Sequence, residues 1–338
     1  MFSRKYDLWT KEEYTYPVTG QFIPNIVSYI HEENEESRPA VIVVPGGGYR
    51  VVSPTEGELV AKDFYHKGFN TFVLTYTTNL LFESPLKMQP LMDLSNAVMF
   101  LRKHAEELRV IPDKISICGF SAGGHLSGSL AVHFDNEDVK LKEKYGGIDN
   151  RPNAVILSYP VITSGDYAHQ DSFKALLGAN PSQEELSFMS LEKQGKDNTP
   201  PIFIWHTAAD ELVPVENSYL FAEACRSKGV KLEHHVFGNG KHGLSLANEA
   251  WIKGEWAYKE HGQYTITQML ETLEHHVEKR IELPSPYSHF NHLPEGRKEV
   301  KQTILADMKA SMPATEPDEG IAVWPELAHH WLKKNLNL

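Results

Sequence analysis

Cysteine is scarce in this chain of 338 residues, which contains only Cys118 and Cys225. Two cysteines exclude a disulfide framework and a four-cysteine metal site. Positive charge is also in the minority, because 33 lysines and arginines stand against 45 aspartates and glutamates, a formal net charge of −12. Such a chain offers no broad positive field, so we expect it to bind neither nucleic acid nor a membrane surface.

Long apolar runs are missing as well. No segment approaches the ~20 consecutive apolar residues that a membrane-spanning helix needs. The N-terminus is charged and aromatic and lacks the apolar stretch of a signal peptide. These absences predict a soluble, cytoplasmic protein, and the length is sufficient for a large core that needs no stabilising metal.

Short apolar runs alternate with longer helical patterns from about residue 22 onward, which is typical of an α/β fold. The continuous run Ala40–Val44 is the pattern of a strand buried on both faces. Helices are predicted near 56–67, 92–108 and 217–228. Strands separated by helices indicate a mostly parallel sheet covered on both sides. The predicted strands are 22–30, 40–44, 70–76, 114–120, 154–160, 201–207 and 231–237.

The alternation stops after residue 242, and residues 251–319 contain no strand pattern. Two amphipathic helices are predicted there, separated by a proline-containing stretch that excludes one continuous helix. The apolar stripe of the first is Ile266, Leu270, Leu273, Val277 and Ile281, and that of the second is Val300, Ile304, Met308 and Met312. A closing helix follows from about residue 324. We therefore predict a main α/β domain of residues 1–250 plus 320–338 and a helical insertion of residues 251–319.

Two amphipathic helices of this length must pack on something, since they cannot bury their apolar stripes alone. The insertion is predicted to cover the carboxyl edge of the sheet, where parallel sheets bind ligands, as a lid, to form a homodimer interface, or to do both. The alternative is a surface segment without a function. As a lid it would bring aromatic side chains to the substrate, with Trp251, Trp256, Tyr258 and Tyr264 as candidates.

The segment 115–128, ISICGFSAGGHLSG, contains the pentapeptide G-x-S-x-G, centred on Ser121 between a strand and a helix. In this arrangement the serine occupies a sharp turn that exposes its hydroxyl. Gly119 and Gly123 remove Cβ atoms that would clash in so tight a turn. The alternative is an ordinary glycine-rich turn between a strand and a helix.

A serine nucleophile requires a base, and the base requires an orienting acid. Asp210 and His242 each follow a predicted strand, at the carboxyl edge where parallel sheets bind ligands. Glu211 is the competitor to Asp210. Among the other histidines, His206 is expected to pack beneath the site.

The stretch 45–50, PGGGYR, follows another buried strand and can present backbone N–H groups to a ligand. The loop of Gly46, Gly47 and Gly48 is interpreted as an oxyanion hole, completed by the N–H of Ala122. Phosphate-binding and dinucleotide-binding loops are excluded by the spacing of the glycines and by the lack of a following G-K-[ST]. Tyr49 of the same loop is a candidate substrate contact.

These four motifs resemble the α/β-hydrolase superfamily, most closely its esterase/lipase branch, which includes acetyl esterases and acetylxylan-esterase-like proteins. The resemblance covers roughly residues 20–250 and the closing helix. It implies an eight-stranded, mostly parallel sheet flanked by helices, a Ser–His–Asp triad and no cofactor. The residues that match are the nucleophile Ser121, the base His242, the acid Asp210 and the oxyanion donors Gly47, Gly48 and Ala122. His289 and His292 could contact a metal, but the sequence offers no confirming acidic or cysteine partner, so no metal site is predicted.

Two features depart from the pattern of that superfamily. Pro45 begins the glycine loop where many hormone-sensitive-lipase-like relatives have histidine. The insertion at 251–319 has no counterpart in the compact esterases. The specificity of that lipase group is therefore not transferred to this chain.

The resemblance favours a serine hydrolase of short acyl esters, chiefly acetyl esters, with acetylated sugars or xylo-oligosaccharides as candidate substrates. An aminopeptidase or amidase of the same fold is the alternative enzyme, because the same triad also cleaves amides. A catalytically silent hydrolase fold that serves as a binding protein is the third hypothesis.

Overall fold

An eight-stranded sheet forms the centre of the protein. The computed structural model describes residues 1–17, 22–33, 35–80, 84–279, 282–283, 287–292 and 296–338. The strand order is β1-β2-β4-β3-β5-β6-β7-β8. Strand β2 pairs antiparallel with both β1 and β4, and the remaining pairs are parallel. The strands are β1 Phe2–Asp7, β2 Asn25–Ile30, β3 Arg38–Val44, β4 Asn70–Thr75, β5 Val110–Phe120, β6 Ala154–Ser158, β7 Ile202–Thr207 and β8 Leu232–Phe237.

Helices cover both faces of this sheet, as the alternation in the sequence predicts. Within the described residues they are α1 Glu58–His66, α2 Gln89–Lys103, α3 Ala122–His133, α4 Lys142–Tyr145, α5 Gln170–Leu177, α6 Gln183–Phe188, α7 Glu216–Ser227, α8 Glu249–Ile252, α9 Glu260–Lys279, α10 Arg297–Ala310 and α11 Trp324–Leu336. None of the helices in the described ranges is long and apolar enough to cross a membrane.

Successive side chains of the central strands belong to two different apolar clusters, because strand side chains alternate between the two faces. In β3, Ile42 and Val44 join residues of α2, α3 and α7, whereas Val41 and Val43 join residues of α1 and the closing helix α11. Both sides of the central strands are therefore dry, which explains why their sequences are continuous apolar runs.

The predicted insertion of residues 251–319 packs on the body, the described residues of 1–250 and 320–338, through polar as well as apolar contacts. His261, at the start of α9, is buried, and its Nε2 lies 3.1 Å from Oγ1 of Thr75. Its backbone N–H donates to Glu58 of α1 at 3.0 Å. A third apolar cluster joins α9 and α10 to Val51 and Leu80 of the body. Among the described side chains, the stripe residues Ile266, Leu270, Leu273, Val300 and Ile304 are thus covered within one chain, whereas the side chain of Val277 lies outside the description.

The element boundaries differ from the sequence-based prediction at several points. The N-terminal edge strand β1 was not predicted, because its residues are exposed and lack an apolar pattern. The strand expected over 22–30 begins at Asn25, and α10 ends at Ala310, before Met312. Ile281, the last position of the first predicted stripe, lies outside the described residues.

Candidate active site

Ser121 lies in the sharp turn between β5 and α3, with φ 50° and ψ −117°. Such a positive φ is costly for a residue with a side chain and is tolerated when the surroundings fix it. A Cβ on Gly119 would lie 2.2 Å from the carbonyl oxygen of Gly123, and a Cβ on Gly123 would lie 2.1 Å from that of Val44. The two glycines of the pentapeptide are therefore required by close backbone packing.

Ser121, His242 and Asp210 form one hydrogen-bonded chain. The Oγ of Ser121 lies 2.8 Å from Nε2 of His242. Nδ1 of the same ring lies 2.7 Å from Oδ2 of Asp210. These are the contacts that a base needs to accept a serine proton while an acid holds its ring.

Asp210 is held by four donors. Its Oδ1 accepts the backbone N–H groups of Leu212 and Val213, at 3.0 and 2.9 Å. Its Oδ2 accepts from His242 and from Nε2 of His206, the latter at 3.1 Å. Burial alone would raise the pKa of Asp210, but the hydrogen bonds from His206, His242 and Val213 hold it well below its ordinary value. The carboxylate is therefore ionised wherever the histidine can act as a base.

The glycine loop borders the nucleophile. Gly47 and Gly48 both line the cavity at Ser121 and have positive φ values of 118° and 63°. Ala122 is the first residue of α3, so its N–H is among those that an α-helix leaves without a partner inside the helix. The N–H of Gly46 is engaged elsewhere, since it donates to Oε2 of Glu56 at 2.7 Å.

A cavity of about 450 Å³ opens above Ser121 and His242, with walls from both parts of the chain. The catalytic body contributes Arg50, Glu56, His169 and Asp171 among others. The insertion contributes its own set, namely Trp251, Met269, Tyr287, His289, Asp307, Met308, Ser311, Met312 and Pro313. The insertion thus forms one wall of the cavity that contains the serine.

Several polar side chains of this cavity have a charged or aromatic partner. His289 and Asp307 of the insertion form an ion pair at 3.0 Å between Nε2 and Oδ1. The buried guanidinium of Arg50 lies 4.3 Å from the ring centre of Tyr287 and 3.9 Å from Asp171. Burial lowers the pKa of Arg50 without removing its charge at neutral pH. The cavity therefore combines an aromatic and methionine surface with donors and acceptors suited to hydroxyl groups.

The predicted substrate contacts are only partly found there. Trp251 lines the cavity, and its indole N–H donates to the carbonyl of Thr55 at 2.9 Å. Tyr49 does not line it, because its buried hydroxyl bonds to Nδ1 of His125 at 2.8 Å in the core. Trp256 is buried in the cluster beneath α1, and Tyr264 is exposed on another surface. The side chain of Tyr258 lies outside the description.

Three residues at the site were not predicted from the sequence, namely Glu56, Tyr159 and Arg50. From the sequence, Glu56 is expected to be a solvent-exposed residue at the start of a helix, but in the structure it is only 4% exposed. Tyr159 lies near the end of the predicted strand 154–160 and directly after the observed strand β6, and its ring lies 4.9 Å from that of His242 at an angle of 72°. The only available signal for Tyr159 was its position at the carboxyl edge of the sheet, which the nucleophile, acid and base share.

Comparison with known proteins places this geometry in a family. Residues 28–225 match the family model described as BD-FAE. Endo-1,4-beta-xylanase B of Butyrivibrio fibrisolvens is 51% identical over 78% of this chain and 41% of that protein. An acetylxylan esterase of Xylanibacter ruminicola is 30% identical over 65% of this chain and 43% of its own length. The chain spans less than half the length of these two curated relatives.

Solved structures agree on the fold. The acetyl ester-xyloside bifunctional hydrolase of Caldicellulosiruptor lactoaceticus has a TM-score of 0.67 and 37% identity, covering 75% of this chain and 93% of that one. The carboxylesterase Cest-2923 of Lactobacillus plantarum has a TM-score of 0.67 at 20% identity over 99% of this chain and 98% of that one, a likeness of fold alone. The chain is an α/β-hydrolase, as its resemblance to the esterase branch predicted. Within that fold it belongs to the BD-FAE family, and its relatives include an acetylxylan esterase.

Proposed function

We propose that this protein hydrolyses short acyl esters, chiefly acetyl esters of xylose-containing saccharides, through an acyl-enzyme on Ser121. The observation that carries the proposal is the hydrogen-bonded chain from Ser121 through His242 to Asp210 at the floor of the cavity.

The chemistry follows from that chain. His242 Nε2 accepts the hydroxyl proton as Ser121 Oγ attacks the acyl carbon, and Asp210 stabilises the imidazolium that forms. The N–H groups of Gly47, Gly48 and Ala122 stabilise the negative oxygen of the tetrahedral intermediate. His242 then donates its proton to the leaving alcohol oxygen, which leaves the acyl group on Ser121. Water, deprotonated by His242, attacks the acyl carbon, and collapse of the second intermediate releases the acid and restores the hydroxyl.

The names of three relatives support an acetylated xylan-derived substrate, since they include an acetylxylan esterase, a xylanase and an acetyl ester-xyloside hydrolase. The chemistry of the cavity also suits a sugar as the alcohol. Sugar rings combine apolar faces with hydroxyl groups, and the insertion wall offers the ring of Tyr287 beside the His289–Asp307 ion pair.

A substrate panel tests the proposal. Acetate should be released from acetylated xylo-oligosaccharides, and kcat/KM should fall from p-nitrophenyl acetate through butyrate to octanoate. Aminoacyl-nitroanilides should be cleaved poorly. Faster hydrolysis of the anilides than of the acetate ester would favour the aminopeptidase or amidase alternative. No hydrolysis of any ester, together with no labelling of Ser121 by a fluorophosphonate, would favour the silent binding fold.

We also propose that the insertion is a lid that recognises the alcohol part of the ester. Asp307→Asn should then raise KM for an acetylated xylo-oligosaccharide several-fold while leaving KM for p-nitrophenyl acetate unchanged, because only the larger alcohol reaches the insertion wall. Gln302→Ala, at an exposed position on the same helix, is the matched control. An equal change for both substrates would contradict the lid proposal. A homodimer and a cytoplasmic location stay predictions.

A further inference from the structure

Glu56 is a buried carboxyl group in the wall of the cavity, next to the glycine loop, and the triad chemistry does not use it. It ends the short 3-10 helix Pro54–Glu56 that precedes α1. Its two carboxyl oxygens have different partners. Oε2 accepts the N–H of Gly46 at 2.7 Å, and Oε1 accepts the hydroxyl of Tyr159 at 2.7 Å. Burying a carboxyl group costs free energy unless hydrogen bonds compensate for the lost water. These two hydrogen bonds are what compensates the burial of Glu56.

The first contact fixes the root of the oxyanion loop. A Cβ on Gly46 would lie 2.9 Å from Oε2 of Glu56, 2.9 Å from Cβ of Ser121 and 2.7 Å from the carbonyl oxygen of Phe120. The backbone of Gly46 is therefore enclosed between the nucleophile turn and the carboxyl of Glu56. Since Gly47 and Gly48 follow directly, the direction of their N–H groups depends on how Gly46 is held.

The second contact reaches the histidine loop. The hydroxyl of Tyr159 donates to Glu56 and accepts the backbone N–H of Ser245 at 3.2 Å. Ser245 lies three residues after His242. The ring of Tyr159 meets the His242 ring edge to face, with centres 4.9 Å apart. Tyr159 thus contacts both the catalytic ring and the loop that carries it.

We propose that Glu56 is a positioning residue. Through Gly46 it holds the oxyanion loop, and through Tyr159 it holds the His242 loop, so that both loops keep their positions relative to Ser121. The inference rests on the proposed function, because it assigns Glu56 a part in the same acyl transfer. Its role differs from that of Asp210. The oxygens of Glu56 accept from the N–H of Gly46 and the hydroxyl of Tyr159, whereas Asp210 contacts the ring nitrogen of His242 directly. Donors aimed at a developing oxyanion act only when they are held in place beforehand.

Glu56→Gln tests this assignment while keeping the size of the side chain. An amide can accept at one end only, so one of the two contacts must be lost or reversed. We expect kcat per active site to fall about 10- to 100-fold, the effect of a displacement of about 1 Å in a catalytic group. KM for p-nitrophenyl acetate should change less than about twofold, because ground-state binding does not use the oxyanion donors to the same degree.

Tyr159→Phe removes the hydroxyl and keeps the ring against His242. It should lower kcat by a similar factor, and the double variant should be no worse than the more impaired single variant, since residues of one network are not additive. Active sites are counted in every sample by labelling Ser121 with a fluorophosphonate. Loss of folded protein therefore cannot be mistaken for loss of kcat.

Asp93→Asn is the control for a merely structural buried carboxyl. Asp93 is fully buried and accepts hydrogen bonds from Thr77 and Trp9, outside the described cavity. It should lower thermal stability and leave kcat per labelled site unchanged. A Glu56→Gln protein that behaves like this control would overturn the inference, and so would additive effects of Glu56→Gln and Tyr159→Phe. Failure of the proposed function looks different, because the parent protein itself would then hydrolyse the ester poorly or not at all, whether or not Ser121 is labelled.

Discussion

Replacing Asp210 by asparagine changes one atom, and the structure indicates in which direction the new amide must face. Oδ1 accepts two backbone N–H groups, from Leu212 and Val213. The amide oxygen of asparagine must stay there, because an amide nitrogen would oppose both donors. The NH2 group therefore replaces Oδ2 and faces Nδ1 of His242. A donor at this point favours the tautomer with its proton on Nε2, which cannot accept the proton of Ser121.

The size of the effect follows from what the alternative orientation would cost. Flipping the amide would leave two buried N–H groups without an acceptor, at about 1–3 kcal/mol each. In the other orientation the N–H of His206 loses Oδ2 but keeps the carbonyl of Val213 as its acceptor, at 2.9 Å. The wrong tautomer is therefore favoured by about 2–6 kcal/mol, which at 1.36 kcal/mol per factor of ten corresponds to about 30- to 25,000-fold in rate. Loss of the carboxylate charge beside the imidazolium adds to this penalty. We expect a fall in kcat near the upper end, about 10⁴-fold.

The assay is the steady-state hydrolysis of p-nitrophenyl acetate by Asp210→Asn protein whose fold is checked by circular dichroism. Glu211→Gln is the control, because the neighbouring Glu211 is exposed, and it should keep near-parent activity. A folded Asp210→Asn enzyme within about tenfold of the parent would refute the tautomer argument. A reversed result for the two variants would make Glu211 the orienting acid.

Two further predictions concern stability. Gly123→Ala should prevent folding, because the new Cβ would lie 2.1 Å from the carbonyl oxygen of Val44. Gly147→Ala is the control and should give soluble folded protein, because no atom lies within 4 Å of its new Cβ. Equal yields of the two variants would contradict this packing. Burial lowers the pKa of His261 to about 4, so between pH 6.5 and 4 the unfolded chain binds a proton there that the folded chain does not, and stability falls as the pH falls. The free energy of unfolding is measured in urea for the parent and for His261→Gln. The parent value minus the variant value should decrease by about 1–2 kcal/mol from pH 7 to pH 5. A difference that does not change with pH would refute the buried neutral state of His261.

Local patterns in the sequence were sufficient for the central strands and for the groups at their carboxyl ends. Strands β3 to β7 lie inside the sheet, and apolar runs between glycine-rich or polar turns marked each of them. The edge strand β8 is only half-buried and was predicted from the more polar run 231–237. The chain order of Ser121, Asp210 and His242 then followed from the ends of three such runs. Burial on both faces makes this part of the fold readable without tertiary information.

Other features depend on contacts between residues far apart in the chain. Strand β1 is exposed and is held by its pairing with β2, so its own residues carry no apolar pattern. Tyr49 lies beside the catalytic glycines in sequence, but its left-handed backbone, with φ 60°, and its bond to His125 accompany a buried position in the core. Glu56 and Tyr159 are 103 positions apart and meet only in the folded protein. No pattern within a single segment could have predicted these three outcomes.

The acyl-enzyme on Ser121 is the central claim, and trapping it is the most direct measurement. Protein quenched with acid during turnover of p-nitrophenyl acetate should carry an acetyl group on the peptide that contains Ser121, detected by mass spectrometry after digestion. The same experiment with folded Ser121→Ala protein should give no acetylated peptide, and kcat should fall by several orders of magnitude because the triad acts as a unit. An acetyl group on another residue, or a Ser121→Ala enzyme that keeps more than a few per cent of the parent activity, would contradict the account.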